Sequence, residues 1–173
     1  MIDGGKGGSS TKTGLHFEKR KDLLSMIANL KNYDVKDRTI FFNGGKIAVS
    51  IQKHRLYSFL KEEGLDWRQY ISKKLLPDEA IFVFDKRTVY IVEMKFQKTE
   101  GSVDEKLQTC DFKKKQYQKL FSPLGINTEY YYVLNNWFKD KRYVDVLEYV
   151  RSVGCDYFFE VLPLERIGLK KSI

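Results

Sequence analysis

Apolar and polar positions follow two different periods along this chain, and the switches between them mark out its elements. Leu23, Leu24, Ile27 and Leu30 recur at helical spacing and predict a helix from Leu15 to about Asn32. Thr39–Phe42 and Lys46–Ile51 are β-prone runs on either side of Asn43-Gly44-Gly45, a hairpin turn. His54–Glu63 and Trp67–Lys74 read as two short helices around Gly64, and Leu76-Pro77 ends that helical stretch. Ala80–Phe84 and Thr88–Phe96 are strands joined by the polar Asp85-Lys86-Arg87, so they should form an antiparallel hairpin. The second of them is apolar on both faces until its end, the mark of a central, buried strand.

Further along, Val103, Leu107, Cys110, Tyr117 and Phe121 share one side of a helix over Val103–Phe121, which Pro123 and Gly125 stop. Glu129–Leu134 is a strand, Tyr143–Val153 a helix closed by Gly154, and Tyr157–Leu162 a last strand. The order α-β-β-(α-α)-β-β-α-β-α-β predicts an α/β fold with a central mixed sheet flanked by helices. No repeat or linker divides the chain, and its 173 residues suit a single domain, 1–173. Within it, residues 1–13 form a Gly-, Ser- and Thr-rich arm and residues 53–76 a helical insertion.

Composition narrows the class. At 42% hydrophobic and 14% aromatic the chain can build a core. Its longest apolar runs fall far short of the roughly 20 residues that span a bilayer. The N-terminus has no apolar run of a secretory kind, so a cytoplasmic protein is expected. Cys110 and Cys155 form no CxxC pair and only two histidines exist, which disfavours a zinc site and predicts two buried thiols. His16 and His54 have no Ser or Cys nucleophile motif nearby. Tyr130-Tyr131-Tyr132 reads as strand filler rather than a base-stacking platform. A net charge of +8 favours a polyanionic partner. In the N-terminal arm, Lys6, Thr11 and Lys12 read either as part of a flexible tail or as contacts to phosphate.

The segment from Pro77 to Lys95 carries the chemistry. Asp78 opens one strand, while Glu93 and Lys95 end its partner, and antiparallel pairing sets a strand's start beside its partner's end. Alternation along the strand puts Glu93 and Lys95 on one face. Two carboxylates and an ammonium at the end of a buried strand suit phosphodiester hydrolysis better than packing. Asp78 and Glu93 would hold Mg2+, with the Met94 carbonyl an extra ligand, and Lys95 would orient the attacking water. The plainer alternative makes Asp78 a turn residue, with Glu93 and Lys95 capping a strand as it leaves the core.

In Pro77-Asp78 and Glu93-Met94-Lys95 the chain resembles the PD-(D/E)XK nuclease superfamily, type II restriction endonucleases in particular. The resemblance implies an α-β-β-β-α-β core running from the helix at Leu15 to the strand at Glu129. It implies Mg2+ as cofactor, with Mn2+ a substitute, double-stranded DNA as substrate, and a bacterial or archaeal cytoplasm. The stretch from Thr11 to Glu18 looks like the start of the first core helix in such enzymes, which makes Glu18 a candidate third carboxylate. The helix after the active-site strand suggests Gln108 as a residue facing the site. On the same helix Lys113, Lys115 and Gln116 would meet the phosphate backbone, though its lysines read equally as a solvated face.

A chain this short would cut one strand per active site. It would act as a homodimer or as the small catalytic subunit of a heterodimeric type IIS enzyme with a larger DNA-recognising partner. A structure-specific nuclease such as a Holliday-junction resolvase is the alternative within the same fold. A non-catalytic DNA-binding module is the alternative of another class.

Overall fold

The computed structural model describes residues 14–17, 22–99 and 102–172. A short strand, β1 (Gly14–His16), leads to helix α1 (Leu23–Ala28). Strands β2 (Tyr33–Lys36), β3 (Thr39–Phe42) and β4 (Gly45–Ser50) form a meander, followed by α2 (Arg55–Glu62). Strands β5 (Glu79–Val83) and β6 (Thr88–Lys95) form the expected hairpin. Helices α3 (Val103–Leu107) and α4 (Cys110–Phe121) then precede β7 (Asn127–Leu134). Helix α5 (Val144–Ser152), β8 (Asp156–Phe159) and β9 (Val161–Pro163) complete the order.

Seven strands make one mixed sheet in the order β2-β3-β4-β5-β6-β7-β8. Pairing is antiparallel from β2 through β6 and parallel from β6 through β8. Parallel neighbours need a crossover, and α3–α4 and α5 supply the two that this sheet requires. The fold is therefore α/β.

The sheet is buried on both faces, and β6 shows why its sequence is apolar on both faces until its end. Val89 and Ile91 join the layer under α2, α4 and α5, with Leu56, Leu60, Tyr117, Leu120 and Val150. Tyr90 and Val92 join the opposite layer, with Leu23, Met26 and Ile27 of α1 and Leu162, Leu164 and Ile167 of the C-terminal segment. Both cysteines are buried free thiols. All of Tyr130, Tyr131 and Tyr132 is buried, as expected of strand filler. Gly168 has φ +69, and a Cβ there would lie 2.9 Å from the Tyr90 hydroxyl, so both backbone and space call for glycine.

Four expected elements are drawn differently. The helix expected from Leu15 is a strand at Gly14–His16 and a six-residue helix from Leu23. Leu15 pairs with Leu162, and Asp22 starts the helix by accepting the Ser25 N–H at 2.9 Å. Tyr33, just past the expected helix, begins β2, after Asn32 turns the chain at φ 70. Trp67–Lys74 contains only a 3-10 turn at Trp67–Gln69, capped by the Asp66 side chain. Val103–Phe121 is two helices that meet at Gln108 and Thr109. Tyr157–Leu162 is split at Glu160 (φ 59), so its halves join different sheets. No helix among the described residues is long and apolar enough to cross a membrane.

Candidate functional site

The site grows out of the register of the β5–β6 hairpin. Its last paired residues are Glu79 and Val92. Asp78, one residue earlier, therefore falls beside Glu93 and has no ladder partner of its own. Its side chain takes over that role, and Asp78 Oδ2 accepts the Met94 N–H at 3.0 Å. In an antiparallel pair a residue's N–H and C=O point to the same neighbour. The Met94 carbonyl thus leaves β6 on the side of Asp78. The Met94 side chain packs in the layer with α1.

Segment 51–53 fixes Asp78 from behind. Ile51 N–H donates to Ala80 O at 2.8 Å, and Lys53 N–H to Pro77 O at 3.2 Å. The Gln52 side-chain amide, with its nitrogen turned inward, donates to Asp78 O and to Glu79 Oε2, both at 2.9 Å.

Glu93 and Lys95 project from the same face of β6, towards α4. Glu93 is 5% exposed. Its Oε2 accepts from Lys95 Nζ at 3.2 Å and lies 3.6 Å from Lys113 Nζ of α4. One turn further along α4 stands the buried Tyr117, whose ring stacks on Tyr130 with centroids 6.4 Å apart. Burial pushes the Tyr117 phenol above its ordinary range, and the negative charge of Glu93 adds to this, with Tyr57 and Asp78 contributing less. Tyr130 is raised in the same way, by burial first and Glu93 second. Tyr117 and Tyr130 thus stand as uncharged rings in the buried layer.

Two oxygens of this cluster stay free. Asp78 Oδ1 and Glu93 Oε1 accept no hydrogen bond from a described residue. Carboxylate and main-chain carbonyl oxygens are donors of the kind hard divalent cations take. Among the described residues no group of three His, Cys, Asp or Glu side chains converges on a common point.

The other expected residues fall into three sets. Lys113 reaches the cluster. Gln116, on the same helix, is half-buried, and its Oε1 is buried without a partner. Gln108 does not reach it: it sits in the exposed joint between α3 and α4 and lines a separate cavity with Arg142 and Tyr149. Helix α3 ends at Leu107 and α4 begins at Cys110, so Gln108 lies in the break between them. Lys115 is exposed and paired with Asp111 at 2.8 Å, one turn away along the solvent side of α4. Glu18, Lys6, Thr11 and Lys12 lie outside the described residues.

Glu79, Gln52 and Tyr117 were not among the expected residues. Tyr117 carried a usable signal, since it follows Lys113 by one helical turn. Gln52 carried none, because its role depends on a strand end 26 residues away. Compared with known proteins, the chain matches no family model, no curated protein and no solved structure.

Proposed function

We propose that this chain is a Mg2+-dependent endonuclease that hydrolyses DNA phosphodiester bonds, built on a PD-(D/E)XK core. The observation that carries the reading is the convergence of Asp78, Glu93 and Lys95 at one end of the β5–β6 pair. Asp78 is held at 3.0 Å on the main chain between Glu93 and Lys95. A carboxylate as buried as that of Glu93 is costly unless it is paired or serves a ligand.

Asp78 Oδ1, Glu93 Oε1 and the Met94 carbonyl would hold the Mg2+, for which Mn2+ should substitute. When bound, the ion would neutralise charge on the phosphate and lower the pKa of a water. Lys95, 3.2 Å from Glu93, would orient the attacking water and stabilise its hydroxide form. Lys113, 3.6 Å from Glu93, would face a non-bridging phosphate oxygen. The chain would cut one strand of double-stranded DNA per site, as a homodimer or beside a larger DNA-recognising subunit. Its charge of +8 supports a polyanionic substrate.

A supercoiled plasmid with Mg2+ tests this, comparing wild type, Asp78→Ala and Lys95→Ala. Both variants should cut at least about a hundredfold more slowly while unfolding like wild type. A Lys95→Ala protein that cuts at the wild-type rate would remove the mechanism. DNA bound but uncut with Mg2+ and with Mn2+ would make the chain a binding module. Faster cutting of four-way junctions than of linear duplex would make it a resolvase.

A further inference from the structure

A second cavity, of about 650 Å³, opens between α2 and the turn that follows it. Its walls include His54, Tyr57, Lys61, Trp67 and Lys74. The volume lies within the range of pockets that take small organic ligands.

The walls combine flat aromatic surface with unneutralised positive charge. Tyr57 and Trp67 meet edge to face, with centroids 5.5 Å apart. Lys74 Nζ lies 4.8 Å from the centroid of the Tyr57 ring and 5.2 Å from that of Trp67. Tyr57 is fixed, because its hydroxyl accepts the Leu75 N–H at 2.6 Å and donates to Leu75 O at 2.8 Å. Trp67 is only partly covered. The one carboxylate lining the cavity, Asp66, is taken up by Arg68 through bonds of 2.9 and 3.0 Å. Among the described residues neither Lys61 nor Lys74 has a carboxylate within 4.0 Å.

The cavity also shares a segment of chain with the candidate site. Lys74 borders the cavity, and Asp78 lies four residues further along the chain. Four residues of extended chain span at most about 14 Å. Duplex DNA rises about 3.4 Å per nucleotide of one strand. A strand with a phosphate at Asp78 and Glu93 would therefore pass the cavity within a few nucleotides.

We infer that this cavity receives one nucleotide of the strand being cut, its base against the Trp67 ring and its phosphate on Lys61 and Lys74. The inference rests on the nuclease reading for its substrate and adds to it a point of contact remote from the reacting phosphate. It gives the helical insertion a purpose, since a base held there biases which phosphate reaches Asp78. Stacking on an aromatic ring tolerates every base, so the pocket selects single-stranded or distorted DNA more than sequence.

The test needs no catalysis. Trp67 and Trp137 are the two tryptophans, so in Trp137→Phe the emission reports Trp67 alone. A short single-stranded oligothymidylate is titrated into this protein with chelator present, and binding is followed in parallel by anisotropy of the labelled oligonucleotide. Saturable quenching of Trp67 that tracks the anisotropy is expected. Lys61→Ala with Lys74→Ala should weaken it about tenfold, and Lys74→Arg should restore most of the loss. Anisotropy that rises while Trp67 stays silent overturns the inference, as does the absence of any rise. Cutting separates the two claims. If wild type cuts plasmid and the lysine variants cut equally well with Trp67 silent, the pocket is wrong and the nuclease stands. If Trp67 is quenched and no DNA is cut, the pocket stands and the nuclease is wrong.

Discussion

Replacing Glu79 by glutamine should remove a pH-dependent weakness from the fold. Glu79 is 2% exposed and points into the layer beneath α1, opposite to Asp78 and Glu93. Its Oε1 accepts the Leu23 N–H at 3.1 Å, so this carboxyl fastens α1 to the sheet. Burial raises it from 4.5 to about 7; the Leu23 N–H and Lys53 oppose the rise, while Asp22 and Asp78 add to it. An acid whose folded pKa exceeds its unfolded value takes up a proton on folding between the two. Its contribution to stability is therefore complete below about pH 4.5 and is lost as pH rises towards 7, at about 1.4 kcal/mol per pH unit. A gap of about 2.5 units amounts to about 3 kcal/mol. Glutamine keeps an oxygen for Leu23 and cannot ionise. Urea unfolding of both proteins in chelator, at about pH 4 and about pH 8, isolates the effect, because all other titrating groups are shared. The difference in stability should move by about 3 kcal/mol in favour of Glu79→Gln between acid and alkaline buffer. Parallel pH profiles for the two proteins would show that Glu79 ionises in place without penalty, and the reasoning would fail.

Other consequences can be measured as simply. Lys113→Ala should reduce the slope of log K against log salt for DNA binding by about 0.9, the share of one phosphate contact. Lys115→Ala, whose ammonium already has Asp111 at 2.8 Å, should change it less; equal slopes for both would show that Lys113 does not meet phosphate. Tyr117→Ala removes a fully buried ring and should cost about 3–5 kcal/mol in urea unfolding. A loss under about 1 kcal/mol would mean that α4 is not packed as described. Cys110 and Cys155, 0% and 5% exposed, should react with an aromatic disulfide reagent only as fast as the protein unfolds. Immediate reaction of either thiol in buffer would contradict their burial.

The parts of this fold legible in the sequence are those whose partners lie close along the chain. The β5–β6 hairpin could be read because two apolar runs flank a three-residue polar joint, and its register alone brings Asp78 to Glu93. The Asn43-Gly44-Gly45 turn could be read for the same reason. β1 could not, because three residues are too few to show alternation and its partner is β9, far along the chain. The break at Thr109 was hidden, since Leu107, Cys110 and Tyr117 continue one apolar stripe across it. That misreading carried Gln108 towards the site. Glu79 was passed over because a charge beside Pro77-Asp78 looks like part of a turn. Its partners, the Leu23 N–H of α1 and the Gln52 amide, come from elements remote in the chain.

The two-stranded clasp between β1 and β9 has a bearing on how the molecule matures. Gly14 lies against Pro163, and Phe17 N–H bonds to Glu160 O at 2.9 Å, so the clasp closes a loop of almost the entire chain. Closing so long a loop is slow, and on a ribosome it must wait until Val161–Pro163 have been made. The seven-stranded sheet can assemble beforehand, but Leu15 and Phe17 find their cover only at that final step. Strand β1 thus gains its partner only after β9 has been made.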